Sequence, residues 1–143
     1  MQISSRFTIA IHILLAIETF KDDYKVTSEF LASSTNVNPV IIRNILGQLR
    51  NYDLIETQRG SGGTTIKKPL NEITLLDVYN AVDSVNSDSL FHFHENPNVN
   101  CPVGGNIHAV LDQKLNDIQK AMEEEMRKTT LQDLVNNLNN TLQ

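Results

Sequence analysis

The sequence predicts a mainly α-helical fold with a small β-hairpin wing: a winged helix-turn-helix domain carried by a long C-terminal dimerisation helix. Three observations lead there. Between Asn38 and Gly63 the run NPVIIRNILGQLRNYDLIETQRGSGG passes from a capped amphipathic helix to a short strand and then to a basic, glycine-rich turn. A short helical segment and a turn at Asn36 to Asn38 precede it. From Ile107 onward, apolar residues recur at helical spacing for some twenty residues.

Taken in order, Ser4 or Ser5 opens a first helix, SRFTIAIHILLAIETF, apolar over most of its circumference and so expected at the centre of the core, with His12 as a core residue holding one hydrogen bond. After the polar turn KDDYK, Thr27 is an N-cap for the short helix TSEFLASST, with Phe30 and Leu31 facing inward. Asn38 caps the next helix, whose first residue, Pro39, lacks an N–H that would be unpaired there in any case. Ile42, Ile45, Leu46 and Leu49 form its apolar face, and Val40, Arg43, Asn44 and Gly47 its outer face. The period then changes: LIETQ and TIKK read as two strands around Arg59-Gly60-Ser61-Gly62-Gly63, a tip able to take positive φ, and Pro69 ends the second strand. Thr74 and Asp77 make a capping box for TLLDVYNAVD, with Leu75, Val78, Tyr79 and Val82 as its stripe.

These elements divide the chain into a winged helix-turn-helix domain (1–85), a loop rich in Ser, Asn, Pro and Gly (86–106) and dimerisation helices (107–143). In the last part Ile107, Leu111, Leu115, Ile118, Met122 and Met126 make a seam roughly 30 Å long at 1.5 Å per residue. The head alone cannot cover such a seam, and a second copy is its natural cover. A final helix with Leu131, Leu134, Val135, Leu138 and Leu142 is expected on the same seam.

The net charge of −5 conceals an uneven distribution. Residues 1–70 carry eight Lys/Arg against six Asp/Glu, residues 71–143 four against eleven, and residues 36–70 five against two. DNA affinity depends on local cations meeting phosphates, so a basic head on an acidic body is compatible with double-stranded DNA as partner. The longest apolar run, Ile9 to Ile17, is far shorter than the ~20 residues that span a bilayer, and no small-x-small cleavage site follows it, so no membrane association is expected. A single cysteine excludes an internal disulfide and suits a reducing cytoplasm.

A groove-reading helix needs exposed donors near its N-terminus, and Arg43 and Asn44 supply them beside Asn38, Pro39 and Val40. Arg59 with Gly60 at the wing tip suits a narrow minor groove, and Lys67 and Lys68 suit phosphates rather than bases.

The segments SRFTIAIHILL, NPVIIRNILGQLRNYDLIETQRGSGG and ITLLDVYNAVD resemble, in order and spacing, the Rrf-two family, the bacterial repressors of the IscR, NsrR and CymR type; the R-G-x-G-G wing is the most specific part. The resemblance covers nearly the whole chain. It implies a homodimeric winged-helix transcription regulator, expected to be a repressor, on a partly palindromic operator, with Val40, Arg43 and Asn44 in the major groove and Arg59 in the minor groove. Members that hold an iron–sulfur cluster do so through three cysteines before the long helix. Here only Cys101 stands in that loop, in NVNCPVGGNIH, so that arrangement cannot exist and no cofactor is expected.

Two other roles for the loop follow from its residues. Cys101, before Gly104-Gly105 and near the start of the long helix, is a candidate thiol switch, the helix N-terminal field lowering its pKa. His92 and His94, two apart in an extended segment, with Glu95, Cys101 and His108 nearby, could share a metal, although the spacing matches no firm signature. The rival classes are a winged-helix protein-interaction module without DNA binding and a metal-dependent protein built on that loop. No paired acid and base, nucleophile constellation or phosphate-binding loop supports an enzyme. The sequence leaves the operator, the target genes and the effector open.

Overall fold

The computed structural model describes residues 3–58, 63–83, 91 and 94–143. Helix α1 (Ser5–Phe20) begins where the Ser4 hydroxyl accepts the Arg6 N–H, and it buries Phe7, Ala10, Ile13, Leu14, Ala16 and Ile17. Those side chains leave α1 in several directions, and α1 accordingly packs against α2 (Ser28–Thr35), α3 (Pro39–Asn51), α4 (Leu75–Asp83), α6 (Leu131–Leu142) and the second strand. It is the central element expected. His12 is the exception: it lies on the exposed edge of α1, not in the core, where Nε2 meets the Ser34 hydroxyl at 3.0 Å. The core took the purely apolar faces and left the one polar ring at the rim, where desolvation costs least.

The Thr27 hydroxyl accepts the Phe30 N–H to start α2, and Asn36 stops it in the left-handed region at φ 58°. Leu31 is buried, whereas Phe30 is half-buried and packs edge-on against Phe20 at 5.3 Å. Strand β1 (Ile55–Gln58) pairs antiparallel with β2 (Gly63–Ile66), from Ile55 opposite Ile66 to Gln58 opposite Gly63. The second strand thus starts two residues earlier than its pattern suggested and ends before Lys67 and Lys68. Gly63 explains the early start: at φ +72°, a Cβ there would sit 3.0 Å from the Val26 nitrogen, and the next residue, Thr64, donates its N–H to the Val26 carbonyl. A 3₁₀ turn at Leu70–Glu72, absent from the sequence reading, leads to α4, whose Thr74 and Asp77 exchange the expected reciprocal cap bonds.

Helix α5 (Ile107–Lys128) buries none of its residues in the single chain; Leu111, Ile118 and the neighbouring Val110 stay exposed. Its C-terminal end returns to the domain. The Leu75 N–H donates to the Thr129 carbonyl, the Leu131 N–H to the Ile73 carbonyl, and Met126 packs on the core. Helix α6 does not lie along the α5 seam as expected. It buries Leu131 and Val135 and packs on α1 and the 3₁₀ turn, closing the core instead.

Candidate nucleic-acid interface

The candidate reader is α3. The Asn38 side chain accepts the Val40 N–H at 2.8 Å, and Pro39 occupies the first turn. Ile42, Ile45, Leu46 and Leu49 anchor one face in the core. That anchoring forces the opposite face outward: Val40 is 54% and Ile41 39% exposed, and Arg43, Asn44 and Asn51 are exposed beside them. Val40 and Ile41 offer apolar contact to a thymine methyl, Arg43 a forked donor, Asn44 a donor–acceptor pair; these chemistries discriminate base edges. Arg43 Nη1 stands 3.8 Å from a Glu29 carboxylate oxygen, an exposed pair that orients the guanidinium weakly and leaves it able to exchange partners.

The hairpin stands on the other side of a cleft of about 300 Å³ whose walls include Arg43 and Arg50 of α3, Lys25 to Ser28, and Thr57, Gln58, Gly63 and Thr64 of the hairpin. Arg50 Nη1 donates to the Thr57 hydroxyl at 2.9 Å, fixing the end of α3 to the strand. Lys25, Ser28, Arg50 and Thr57 were not singled out by sequence reasoning. No local pattern marks them; only the fold brings residues 25, 50 and 57 together. Arg59 and Gly60, the expected wing tip, lie outside the described residues. Lys67 sits at the base of the hairpin, remote from its tip, with Nζ 3.4 Å from Asp53, and Lys68 follows it, half-buried.

In the loop before α5, Cys101 is exposed, and its sulfur accepts the N–H groups of Gly104 and Val103, which lower the thiol pKa. The cause is therefore the turn after the cysteine, not the end of α5. The two glycines permit that turn: a Cβ at Gly104 would lie 2.2 Å from the Asn98 carbonyl oxygen, and one at Gly105 2.8 Å from that of Val99. His94 is exposed, His108 Nδ1 lies 3.2 Å from Asp112 on α5, and His92 is outside the described residues. Among the described residues no three His, Cys, Asp or Glu side chains converge to hold a metal. A cluster held by thiolates does not fit a chain with one cysteine. Among the described residues, no helix is long and apolar enough to cross a membrane.

The family model Rrf2, described as an iron-dependent transcriptional regulator, matches residues 3–137. A curated relative, the HTH-type transcriptional regulator YwnA of Bacillus subtilis (strain 168), is 41% identical over 136 residues, covering 95% of this chain and 98% of YwnA. A crystal structure titled as that of a DNA-binding protein is 36% identical, with a TM-score of 0.72 over 91% of this chain and 98% of its own. A transcriptional regulator from Lactobacillus plantarum is 28% identical, with a TM-score of 0.76 over 94% and 90% of the two chains.

Proposed function

This chain belongs to the Rrf2 family and is a DNA-binding transcription regulator, and from that premise we propose a homodimeric cytoplasmic repressor, without catalytic activity, that reads a partly palindromic operator with α3. That function displaces the interaction-module alternative. One observation carries the assignment of α3: its outer face from Val40 to Asn44 is exposed, cationic and capped at Asn38, beside a cleft shared with the hairpin. In this reading Val40, Arg43 and Asn44 meet base edges, Arg59 and Gly60 enter the flanking minor groove, and Lys67 and Lys68 meet phosphates. The open apolar seam of α5 supports a second copy as its cover, and two copies on a two-fold axis call for an inverted-repeat operator.

Selection from randomised duplexes, run with the wild type and with Arg43→Ala, tests the assignment. The wild type should enrich an inverted repeat, and the variant should lose one base preference in each half-site. Identical logos from the two proteins would remove α3 as the reader. Sedimentation of Ile118→Glu, expected to show a monomer, tests the seam; a persistent dimer would place the interface elsewhere.

The exposed Cys101 thiol, with two N–H groups directed at its sulfur, favours an additional role as a redox switch. Operator affinity should fall or rise with peroxide in the wild type and not in Cys101→Ser. Equal responses in both would exclude it.

A further inference from the structure

The cleft between α2, α3 and the hairpin is built for an anion. Lys25, Arg43 and Arg50 contribute to its walls, the Ser28 and Thr57 hydroxyls lie between them, and no carboxylate lines it. Glu29 stands at its edge, 3.8 Å from Arg43 and accepting the Ser28 hydroxyl at 3.1 Å. One carboxylate facing three cations leaves the cleft with an excess of positive charge. A pocket of this size usually has a predominantly apolar lining with a few polar groups; three cations around one opening repel each other unless an anion enters. The bond from Arg50 to Thr57 holds one guanidinium edge against the hairpin, and the guanidinium's remaining donors keep their forked geometry for a tetrahedral oxyanion.

We infer that this cleft seats one backbone phosphate of the bound DNA strand, with Lys25 and Arg50 as its principal donors. The inference rests on α3 as the reader. A strand whose bases face Val40 and Arg43 and whose flank reaches the hairpin must carry its backbone across the gap between them, and the cleft occupies that gap. The seat would fix register without reading sequence, as phosphate contacts do. It would also explain why Arg50, three residues from the last core anchor of the outer-face turn, is held by the strand rather than left to swing in solvent.

The test uses the full-length protein and the duplex enriched by selection, with each phosphate near one half-site replaced in turn by an uncharged methylphosphonate. Wild type should lose about tenfold in affinity at one position per half-site, the size of a single charge-assisted contact. Lys25→Gln and Arg50→Gln should each bind the unmodified duplex more weakly, show a salt slope reduced by up to about 1, and lose most of their sensitivity at that same position. Melting temperatures of the two variants control for folding, and Lys25→Gln leaves the Arg50–Thr57 bond in place. If neither variant is coupled to any phosphate while Arg43→Ala still alters base preference, the seat is wrong and the reader stands. If inorganic phosphate binds the free protein through Lys25 and Arg50 while no methylphosphonate position couples to them, the cleft takes a free anion and the DNA seat is overturned. If no duplex is enriched at all, the assignment of α3 falls and the seat with it.

Discussion

Gly47 offers the sharpest test of how closely α3 approaches DNA. It lies in the third turn of α3, on the outward side with Val40, Asn44 and Asn51. Glycine there costs the free protein about 1 kcal/mol relative to alanine, through the backbone freedom lost on folding. Nothing inside the chain requires it. Its φ is not positive, and a Cβ at this position would find only Arg50 Nη2, at 3.9 Å, an ordinary contact. Gly47→Ala should therefore raise the melting temperature by about 3 °C, the shift expected for ~1 kcal/mol in a chain of this size. In the complex the sign reverses. If the groove floor meets bare backbone at Gly47, a methyl group there pushes the helix outward and stretches the contacts of Arg43 and Asn44, each worth about 1–3 kcal/mol when well made. Affinity should fall by about ten- to a hundredfold. Thermal melts and fluorescence anisotropy at fixed salt measure the two effects. A variant that melts higher and binds equally well would refute close approach at Gly47, and one that melts lower would refute the open space around its Cβ.

Four further outcomes are expected. Arg59→Ala should weaken operator binding and relax preference at the flanking positions; unchanged affinity at physiological salt would end the minor-groove role. Leu49→Ala, at a fully buried position that fixes α3 to the core, should cost about 2–5 kcal/mol in denaturant unfolding. Asp83 has its pKa raised by burial, partly offset by Arg6, and one buried oxygen makes no hydrogen bond among the described residues. A carboxyl with a raised folded-state pKa loses stability as pH climbs above its unfolded value, so Asp83→Asn should melt higher than wild type at pH 7, with the gain vanishing toward pH 3. Alkylation of Cys101 should follow a pH midpoint below the ~8.5 of an unperturbed thiol, because the Val103 and Gly104 N–H groups favour the thiolate; an unshifted midpoint would remove the basis for its reactivity.

What was legible in the sequence was what neighbouring residues decide. Caps at Ser4, Thr27, Asn38 and Thr74 act over two or three residues, and the four anchors of α3 repeat within one helix, so these elements could be read directly. Choices between distant partners could not. The apolar stripe of α6 says that it must be buried, but α1 and the seam of α5 both offer an apolar surface; the bonds from Leu75 to Thr129 and from Leu131 to Ile73 decide for α1 by bringing the start of α6 beside the start of α4. His12 follows from the same limit, since helical spacing puts it on α1 without saying which arc of an almost wholly apolar helix stays outside. The cleft of Lys25, Arg50 and Thr57 was illegible for a related reason: its members belong to three elements and no one of them is unusual where it stands. The turn at Cys101 was half-legible, with Gly104 and Gly105 visible as a turn but not the direction of its N–H groups.

The packing of α4 joins the two ends of this design. Helix α4 touches α1, α3 and α5, so it is the short route from the dimerisation helix to the reader. Its contacts with the reader's side are specific: Tyr79 meets Phe7 edge-on at 6.0 Å, and the Gln48 amide donates to the Val82 carbonyl at 3.5 Å. Gln48 in turn accepts from Arg6, so α1, α3 and α4 share one polar connection at the end of the head nearest Asp83. Interiors packed in this way shift as units rather than deform locally. A change in the angle between α5 and α4 therefore moves α3 as a body, and in a two-fold dimer it changes the spacing of the two readers. An inverted-repeat operator with fixed half-site separation is sensitive to that spacing. An effector acting between α4 and α5 has no need to touch α3 to release DNA; it has only to alter the angle at which α4 meets α5.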